Sequence, residues 1–249
     1  MAAALPNRIP SDSLSYRSGD PRQRLIVALD VSTAAAAHKI VAAVGDSALT
    51  YKVGMRLYTA VGPQIVRDLV ASGRRVFLDL KYHDIPNTVG AAVAEAEKLG
   101  VSMLTIHAAG STRMVRAAVD AAKVRPELMV LAVTVLTSMD GHDLETIGIR
   151  GSVEDSVVRL ATIALAQGCQ GVVTSAREAS ALRAKLGDRF ALVTPGVRPA
   201  GSGVGDQVRV VTPAEAIASG ASHIVVGRPI TEAADPAAEA RAILSQIRG

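Results

Sequence analysis

The sequence predicts a single (β/α)₈ barrel, or TIM barrel, that follows a short N-terminal extension. From Arg24 onward, short aliphatic runs alternate with Ala-rich amphipathic segments, which is typical of strands alternating with helices. A length of 249 residues also suits one barrel domain. The alternative is an open, doubly wound sheet, and it is disfavoured because no Gly-x-Gly-x-x-Gly follows the first strand.

Eight strands and seven helices can be placed from these runs. The predicted strands cover residues 24–29, 49–53, 75–80, 102–106, 128–135, 171–174, 190–193 and 222–226. The predicted helices include residues 34–44, 88–99, 111–123, 153–167, 176–186, 213–219 and 237–247. One helix start is well marked, because Thr212 can cap, Pro213 suits the first helical position and Glu215 completes a capping box.

Composition excludes several classes of protein. Hydrophobic residues make up 49% of the chain and aromatic residues only 2%, so the core must be aliphatic. The formal net charge is only +4, and the chain has no run of five basic residues and no Trp for base stacking, which disfavours nucleic-acid binding. A mildly basic protein suits a small anionic substrate equally well.

The remaining features of composition concern the compartment and the domain boundary. Cys169 is the single cysteine and cannot form an internal disulfide, which favours a reducing cytoplasm. No apolar run reaches the roughly 18 residues that a membrane span requires. Residues 1–23 lack the apolar segment of a signal peptide, so we expect a flexible tail there and one catalytic barrel domain over residues 24–249.

Three charged side chains at the end of the third predicted strand mark a functional site. Asp79 and Lys81 are two residues apart, so in a strand both project from the same face, and Asp84 follows in the turn. An apolar strand rarely carries two ionised groups, because burying charge is costly unless the charges are paired. A lysine beside carboxylates keeps its charge, which makes Lys81 a candidate acid or cation stabiliser rather than a nucleophile.

Other polar residues also fall at strand ends, where the active sites of barrels lie. Asp30 ends the first strand and could simply cap the next helix, while Lys52, near the end of the second, could be an edge lysine that extends into solvent. Together with Asp79, Lys81 and Asp84 they would form an array of alternating charge. His107 ends the fourth strand and is as easily a packing residue, so it is left out of the catalytic set.

The last two strands are followed by residues suited to a phosphate group. A Gly-rich loop after Pro195 contains Arg198 and Gln207 and could close as a lid, with Gln207 touching the phosphate and Arg198 supporting it. Arg228 follows Gly227 after the eighth strand, where glycine permits close approach and an arginine fork can bind phosphate. Barrels frequently bind phosphate at these two loops.

The motif Asp79-x-Lys81-x-x-Asp84-Ile85-Pro86-Asn87-Thr88 resembles the signature of the orotidine 5′-phosphate decarboxylase family. The resemblance extends from Ala28-Leu29-Asp30 to Gly227-Arg228-Pro229-Ile230, about four-fifths of the chain. It implies a cytoplasmic homodimer that decarboxylates orotidine 5′-phosphate to UMP, the last step of de novo pyrimidine biosynthesis, with no cofactor and no metal.

The resemblance also implies roles for individual residues. The catalytic set is Lys81, Asp79, Asp84 and Lys52, in which Lys81 stabilises a carbanion and protonates it while Asp79 lies against the departing carboxylate. The residues implied to bind substrate are Asp30, Lys52 and Asp79, Thr137 for the pyrimidine, and Pro195, Arg198, Gln207, Gly227 and Arg228. Asp84, with Ile85 and Thr88, is implied to reach the active site of the other subunit.

Two rival functions remain open at this point. Metal-dependent relatives such as 3-keto-L-gulonate 6-phosphate decarboxylase and hexulose phosphate synthase use Mg²⁺ and an acidic ligand at the end of the second strand, where this chain has Lys52. Lysine repels a cation, and interleaved lysines make a poor octahedral oxygen site. A sugar-phosphate-binding barrel without activity is the second rival, and the presence of both Asp79 and Lys81 disfavours it.

Overall fold

The computed structural model describes residues 20–199 and 211–247 and confirms the predicted barrel. Eight parallel strands close on themselves in chain order, and each pairs with its sequence neighbours. The strands are β1 (Leu25–Ala28), β2 (Thr50–Gly54), β3 (Arg75–Tyr82), β4 (Met103–His107), β5 (Met129–Val133), β6 (Gly171–Val173), β7 (Ala191–Thr194) and β8 (His223–Val226). All eight predicted strands therefore exist, with ends that differ by up to two residues.

The helices lie outside the strands. They are α1 (Ala34–Val44), α2 (Met55–Val61), α3 (Gln64–Ala71), α4 (Pro86–Lys98), α5 (Ser111–Ala122), α6 (Gly141–Thr146), α7 (Val153–Ala166), α8 (Ala176–Leu186), α9 (Pro213–Ala218), α10 (Arg228–Thr231) and α11 (Pro236–Gln246). All seven predicted helices are present. Helices α2, α3, α6 and α10 were not predicted, because each is eight residues or shorter and too short for a clear helical period. The equally short α9 was predicted from its capping box.

The helix starts test two predictions made from the sequence: the capping box at Thr212 and the possible role of Asp30 as a helix cap. Thr212 accepts a hydrogen bond from the Glu215 amide at 3.2 Å, and Glu215 Oε2 accepts one from the Thr212 amide at 2.8 Å, so the capping box is confirmed. The helix after β1 is capped by Thr33, whose hydroxyl accepts from the Ala36 amide at 3.2 Å. Asp30 is therefore not that helix's cap, and its carboxylate is available to the site.

The core has two layers, because alternate residues of each strand face opposite sides of the sheet. Inside the barrel lie small and aliphatic side chains around one aromatic ring: Ile26, Ala28, Phe77, Met103, Met129, Leu131, Ala191, Val193 and Val225. The larger layer lies between the strands and the helices. Gly171 is required inside, since a Cβ there would lie 2.4 Å from the carbonyl oxygen of Ala191.

Polar residues occupy the amino-terminal end of the barrel interior. Thr50, Arg75 and His223 each lie two positions before an inward-facing residue and so share its face. His223 is 3% exposed, and burial, with Arg75 and Arg24 nearby, lowers its pKa to about 3. Its imidazole is therefore neutral at physiological pH.

The N-terminal tail falls largely outside the described residues. The prediction of a flexible segment over residues 1–23 concerns mainly residues 1–19, which are not described, whereas Pro21–Gln23 form a short 3₁₀ helix capped by Asp20. Within residues 20–199 and 211–247, no helix is long and apolar enough to cross a membrane.

Candidate active site

Four charged side chains meet at the carboxyl-terminal ends of the first three strands. Lys52 Nζ lies 3.0 Å from Asp30 Oδ1 and 3.7 Å from Asp79 Oδ2. Lys81 Nζ lies 2.9 Å from Asp79 Oδ1. Four of the five residues of the predicted array are thus ordered as Asp30, Lys52, Asp79 and Lys81, so that each ammonium group has a carboxylate beside it.

Exposure differs along this array in a way that matters for its chemistry. The side chains of Lys52 and Asp79 are each 13% exposed and that of Lys81 is 25% exposed, whereas Asp30 is 60% exposed. Pairs that are withdrawn from water interact more strongly than surface pairs, because solvent screens them less. Asp79 is therefore held between two ammonium groups, and Asp30 forms the outer, hydrated end of the array.

A bulge in β3 sets the direction of Lys81. The pairing of β3 with β4 runs regularly through Leu78 and Leu104 and resumes at Tyr82 and Ile106, so residues 79–81 of β3 lie opposite Thr105 alone. Lys81 has a φ of +53°, in the left-handed region that residues with a Cβ seldom adopt. Such a conformation costs about 1 to 3 kcal/mol and persists where neighbouring contacts hold it.

Lys81 borders a cavity of about 160 Å³ inside the mouth of the barrel. Charged and apolar groups line it: Lys52, Phe77, Asp79, Lys81, Val133, Val135, Leu136, Thr137, Val173, Thr174, Pro195 and Val225. Thr137 and Pro195, predicted from the sequence to bind substrate, thus lie with the lysines and Asp79 around one space. A mostly apolar cavity with a few convergent polar groups is typical of a small-molecule site.

Three of the residues predicted to bind phosphate are described, and they follow β7 or β8: Arg198, Gly227 and Arg228. A Cβ added to Gly227 would lie 3.9 Å from Asp30 Oδ2, which places this glycine at the array, and Arg228 begins α10 directly after it. Arg198 is 9% exposed, and its amide donates to the carbonyl of Val211. Gln207 lies outside the described residues.

Asp84, Ile85 and Thr88 lie on the outer rim rather than in the cavity. All three are exposed, Ile85 at 65%, and within the described part of the chain none of them lines the cavity. The Asp84 carboxylate accepts a hydrogen bond from the Ile85 amide at 2.6 Å, and Pro86 is the first residue of α4. These residues are therefore exposed at the rim and are not part of the cavity lining of their own chain.

Two residues beside the array, His107 and Thr105, were not among the predicted site residues. The His107 ring lies 5.2 Å from the ring of His83, and its pKa is lowered by burial and by the nearby His83 and Lys81. Thr105 is fully buried, and its hydroxyl donates to Asp79 Oδ1 at 2.9 Å. The sequence feature that could have indicated Thr105 is its hydroxyl on the inward face of the apolar strand β4 (Met103–His107).

Fold and site together define an enzyme of the (β/α)₈-barrel class that holds a carboxylate between two ammonium groups at its mouth. Among residues 20–199 and 211–247, no three His, Cys, Asp or Glu side chains are grouped as a metal site requires.

Comparison with known proteins gives the family. A sequence model of the orotidine 5′-phosphate decarboxylase / HUMPS family matches residues 23–243, and the chain belongs to this family of enzymes. Orotidine 5′-phosphate decarboxylase from Afipia carboxidovorans is 52% identical over 92% of this chain and 96% of its own. The protein of the same name from Anaeromyxobacter dehalogenans is 52% identical over 91% and 99%.

Solved structures agree with the sequence comparison. The crystal structure of orotidine 5′-phosphate decarboxylase from Lactobacillus acidophilus superposes with a TM-score of 0.82 at 37% identity, and the match covers 91% of this chain and 100% of the other. The family and the carboxy-lyase class predicted from the sequence are thus confirmed.

Proposed function

We propose that this protein decarboxylates orotidine 5′-phosphate to UMP without a cofactor, as the last step of de novo pyrimidine biosynthesis. The observation that carries the proposal is the Asp79 carboxylate, with Lys81 at 2.9 Å and Lys52 at 3.7 Å, at the wall of a small cavity. The names of relatives that are 52% identical over nearly their whole length support the same activity.

The chemistry requires a cation where negative charge develops. When the bond between C6 and the carboxylate breaks, CO₂ leaves and the electron pair remains on C6, which has no adjacent π system to accept it. The ammonium of Lys81 stabilises this charge and then gives its proton to C6, after which solvent reprotonates the amine. Asp79 holds Lys81 in place and lies against the departing carboxylate.

Substrate recognition follows the positions of the other predicted residues. Asp30, at the outer end of the array, and Lys52 beside it bind the ribose hydroxyls. Thr137 lines the cavity and recognises the pyrimidine, with Pro195 on the same wall. The phosphate lies at the loops after β7 and β8, where the proposed binding residues are Arg198, Gln207, Gly227 and Arg228.

The position of Lys52 favours this reaction over that of the Mg²⁺-dependent members of the fold. Its ammonium lies between the Asp30 and Asp79 carboxylates, 3.0 Å and 3.7 Å away, where a cation bound by both carboxylates would have to sit. A divalent ion there would have to displace this ammonium or lie close to it, at a cost in electrostatic repulsion.

The test is the ultraviolet absorbance of orotidine 5′-phosphate mixed with EDTA-treated protein. We expect loss of the orotate chromophore and formation of UMP. The Lys81→Ala variant should lose the activity while keeping its fold by circular dichroism. Lys98→Ala is a matched control, because Lys98 also contacts a carboxylate, Glu95 at 2.7 Å, but on the exposed surface.

Two results would contradict the proposal. Absence of reaction with EDTA and with added Mg²⁺ would indicate a binding protein, and turnover of a ketose phosphate only with Mg²⁺ would indicate the metal-dependent reaction. Near-normal activity of a folded Lys81→Ala variant would refute the role of that lysine alone.

We further propose a cytoplasmic homodimer in which Asp84, Ile85 and Thr88 complete the active site of the partner. The support is their exposed position on the rim, together with Met55 and Leu136, exposed hydrophobic residues that follow β2 and β5 at the same end of the barrel. The buried free thiol of Cys169, whose pKa burial raises to about 12, suits a reducing compartment.

Subunit complementation tests the shared site. Inactive Asp84→Ala and inactive Lys81→Ala chains are mixed, and heterodimer formation is verified by native mass spectrometry. We expect partial recovery of activity, because one of the two sites in a heterodimer then has both residues intact. A verified heterodimer without activity would place the complete site within one chain.

A further inference from the structure

Thr105 connects the two central residues of the site through a single hydroxyl. Its Oγ1 donates to Asp79 Oδ1 at 2.9 Å and accepts from the backbone amide of Lys81 at 2.9 Å. The directions are fixed, because an ionised carboxylate can only accept and a backbone amide can only donate. Thr105 is fully buried, which limits the access of water to both bonds.

The Thr105 hydroxyl binds the Lys81 amide where the pairing of β3 with β4 is irregular. At the bulge, residues 79–81 of β3 lie opposite Thr105 alone on β4, and the amide of the left-handed Lys81 donates to the Thr105 hydroxyl. A partly buried amide without a hydrogen-bond partner carries a free-energy cost. The Thr105 hydroxyl removes that cost and so stabilises the left-handed conformation from which the Lys81 side chain reaches Asp79 Oδ1.

We propose that Thr105 is a positioning residue that sets the geometry of the Asp79–Lys81 pair for decarboxylation. The inference rests on the proposed function for its catalytic consequence. The two hydrogen bonds of Thr105, to Asp79 and to the Lys81 amide, are called the clamp and do not depend on any substrate. The ammonium of Lys81 must stabilise negative charge at C6 and then donate a proton to it. Its position tolerates little displacement, because misplacement of about 1 Å can lower the rate about 100-fold.

The experiment compares Thr105→Val, Thr105→Ser and Thr50→Val. Valine matches threonine in shape but has no hydroxyl, and serine retains the hydroxyl. Thr50 is the matched control, because it is fully buried on β2 and its hydroxyl has no hydrogen-bond partner within the described residues. Two quantities are measured on each protein: hydrogen exchange of the Lys81 amide by NMR, and kcat and KM for orotidine 5′-phosphate.

We expect exchange of the Lys81 amide to accelerate at least about tenfold in Thr105→Val, since one hydrogen bond is lost. We expect kcat to fall about 10- to 100-fold with KM changed less than about threefold, because the phosphate and ribose contacts remain. Thr105→Ser should restore both quantities and Thr50→Val should alter neither, a pattern that general destabilisation would not produce.

The outcomes separate the clamp from the proposed reaction. Unchanged Lys81 exchange in Thr105→Val would overturn the clamp. Faster exchange with unchanged kcat, or a kcat that serine fails to restore, would overturn its role in positioning. Absence of turnover by the unaltered protein would refute the proposed function and the catalytic part of this inference, while the exchange measurement would still decide whether the clamp exists.

Discussion

The buried imidazole of His223 should make the fold sensitive to mild acid. Its side chain lies inside the amino-terminal end of the barrel, 3% exposed, and burial with two nearby arginines lowers its pKa from 6.5 to about 3. In the unfolded chain the imidazole binds a proton below about pH 6.5. Between these two values the unfolded state therefore binds more protons than the folded state, so stability falls as the pH falls.

The magnitude follows from the difference in pKa. The stabilisation is complete above pH 6.5 and decreases by about 1.4 kcal/mol for each pH unit below it, until the folded pKa near 3 is reached. At pH 5 the loss due to His223 is about 2 kcal/mol, a large part of the 5 to 15 kcal/mol typical of a folded domain.

Urea unfolding of the protein and of His223→Gln at pH 7.5 and pH 5 measures this contribution. Glutamine does not titrate, so the difference in free energy of unfolding between the two pH values should be about 2 kcal/mol smaller in the variant. His142→Gln on exposed α6 is the control and should behave like the unaltered protein. The same pH dependence with and without His223 would refute the reasoning.

Three further predictions concern the site and one cap. Lys52→Met should lower kcat at least about 100-fold, because Asp79 loses one of its two ammonium neighbours in a site screened from water. The control Lys98→Met should leave kcat unchanged, and equal kcat values for the two variants would contradict the prediction. Arg228→Ala should raise the dissociation constant of UMP more than that of uridine, measured by calorimetry, and equal changes would argue against a phosphate contact. Thr212→Ala should lower the free energy of unfolding by about 1 kcal/mol, and no change in the urea midpoint would indicate that the capping box contributes nothing.

The barrel was predictable because its causes are local and repeated. Each strand is a short aliphatic run, and each larger helix has an apolar face, so the alternation is visible without knowledge of tertiary contacts. The helix start at Thr212 was equally visible, since a capping box uses residues three positions apart. Helices α2 and α3 escaped prediction because Gly62 and Pro63 divide the segment between β2 and β3 into two short pieces.

Four of the five predicted members of the charge array lie together in the structure, whereas Asp84 lies on the rim, and the geometry of the four was not predictable. Polar side chains at strand ends indicated Asp30, Lys52, Asp79 and Lys81, because in a parallel barrel these ends meet at one face. The choice between Asp30 as a helix cap and Asp30 as a site residue needed the structure. Thr33 caps α1, and Lys52 lies 3.0 Å from Asp30.

The left-handed conformation of Lys81 could not be predicted from the local sequence pattern. The period of a strand correctly predicts that Asp79 and Lys81 end side by side, yet a regular strand would not contain the left-handed residue that the structure has there. That conformation depends on Thr105, which is 24 residues away along the chain from Lys81. Because a bulge is stabilised by what lies across it, the sequence around the lysine alone does not determine it. The strain at Lys81 and the hydroxyl on β4 are therefore one structural feature, and substituting either residue should disturb the other.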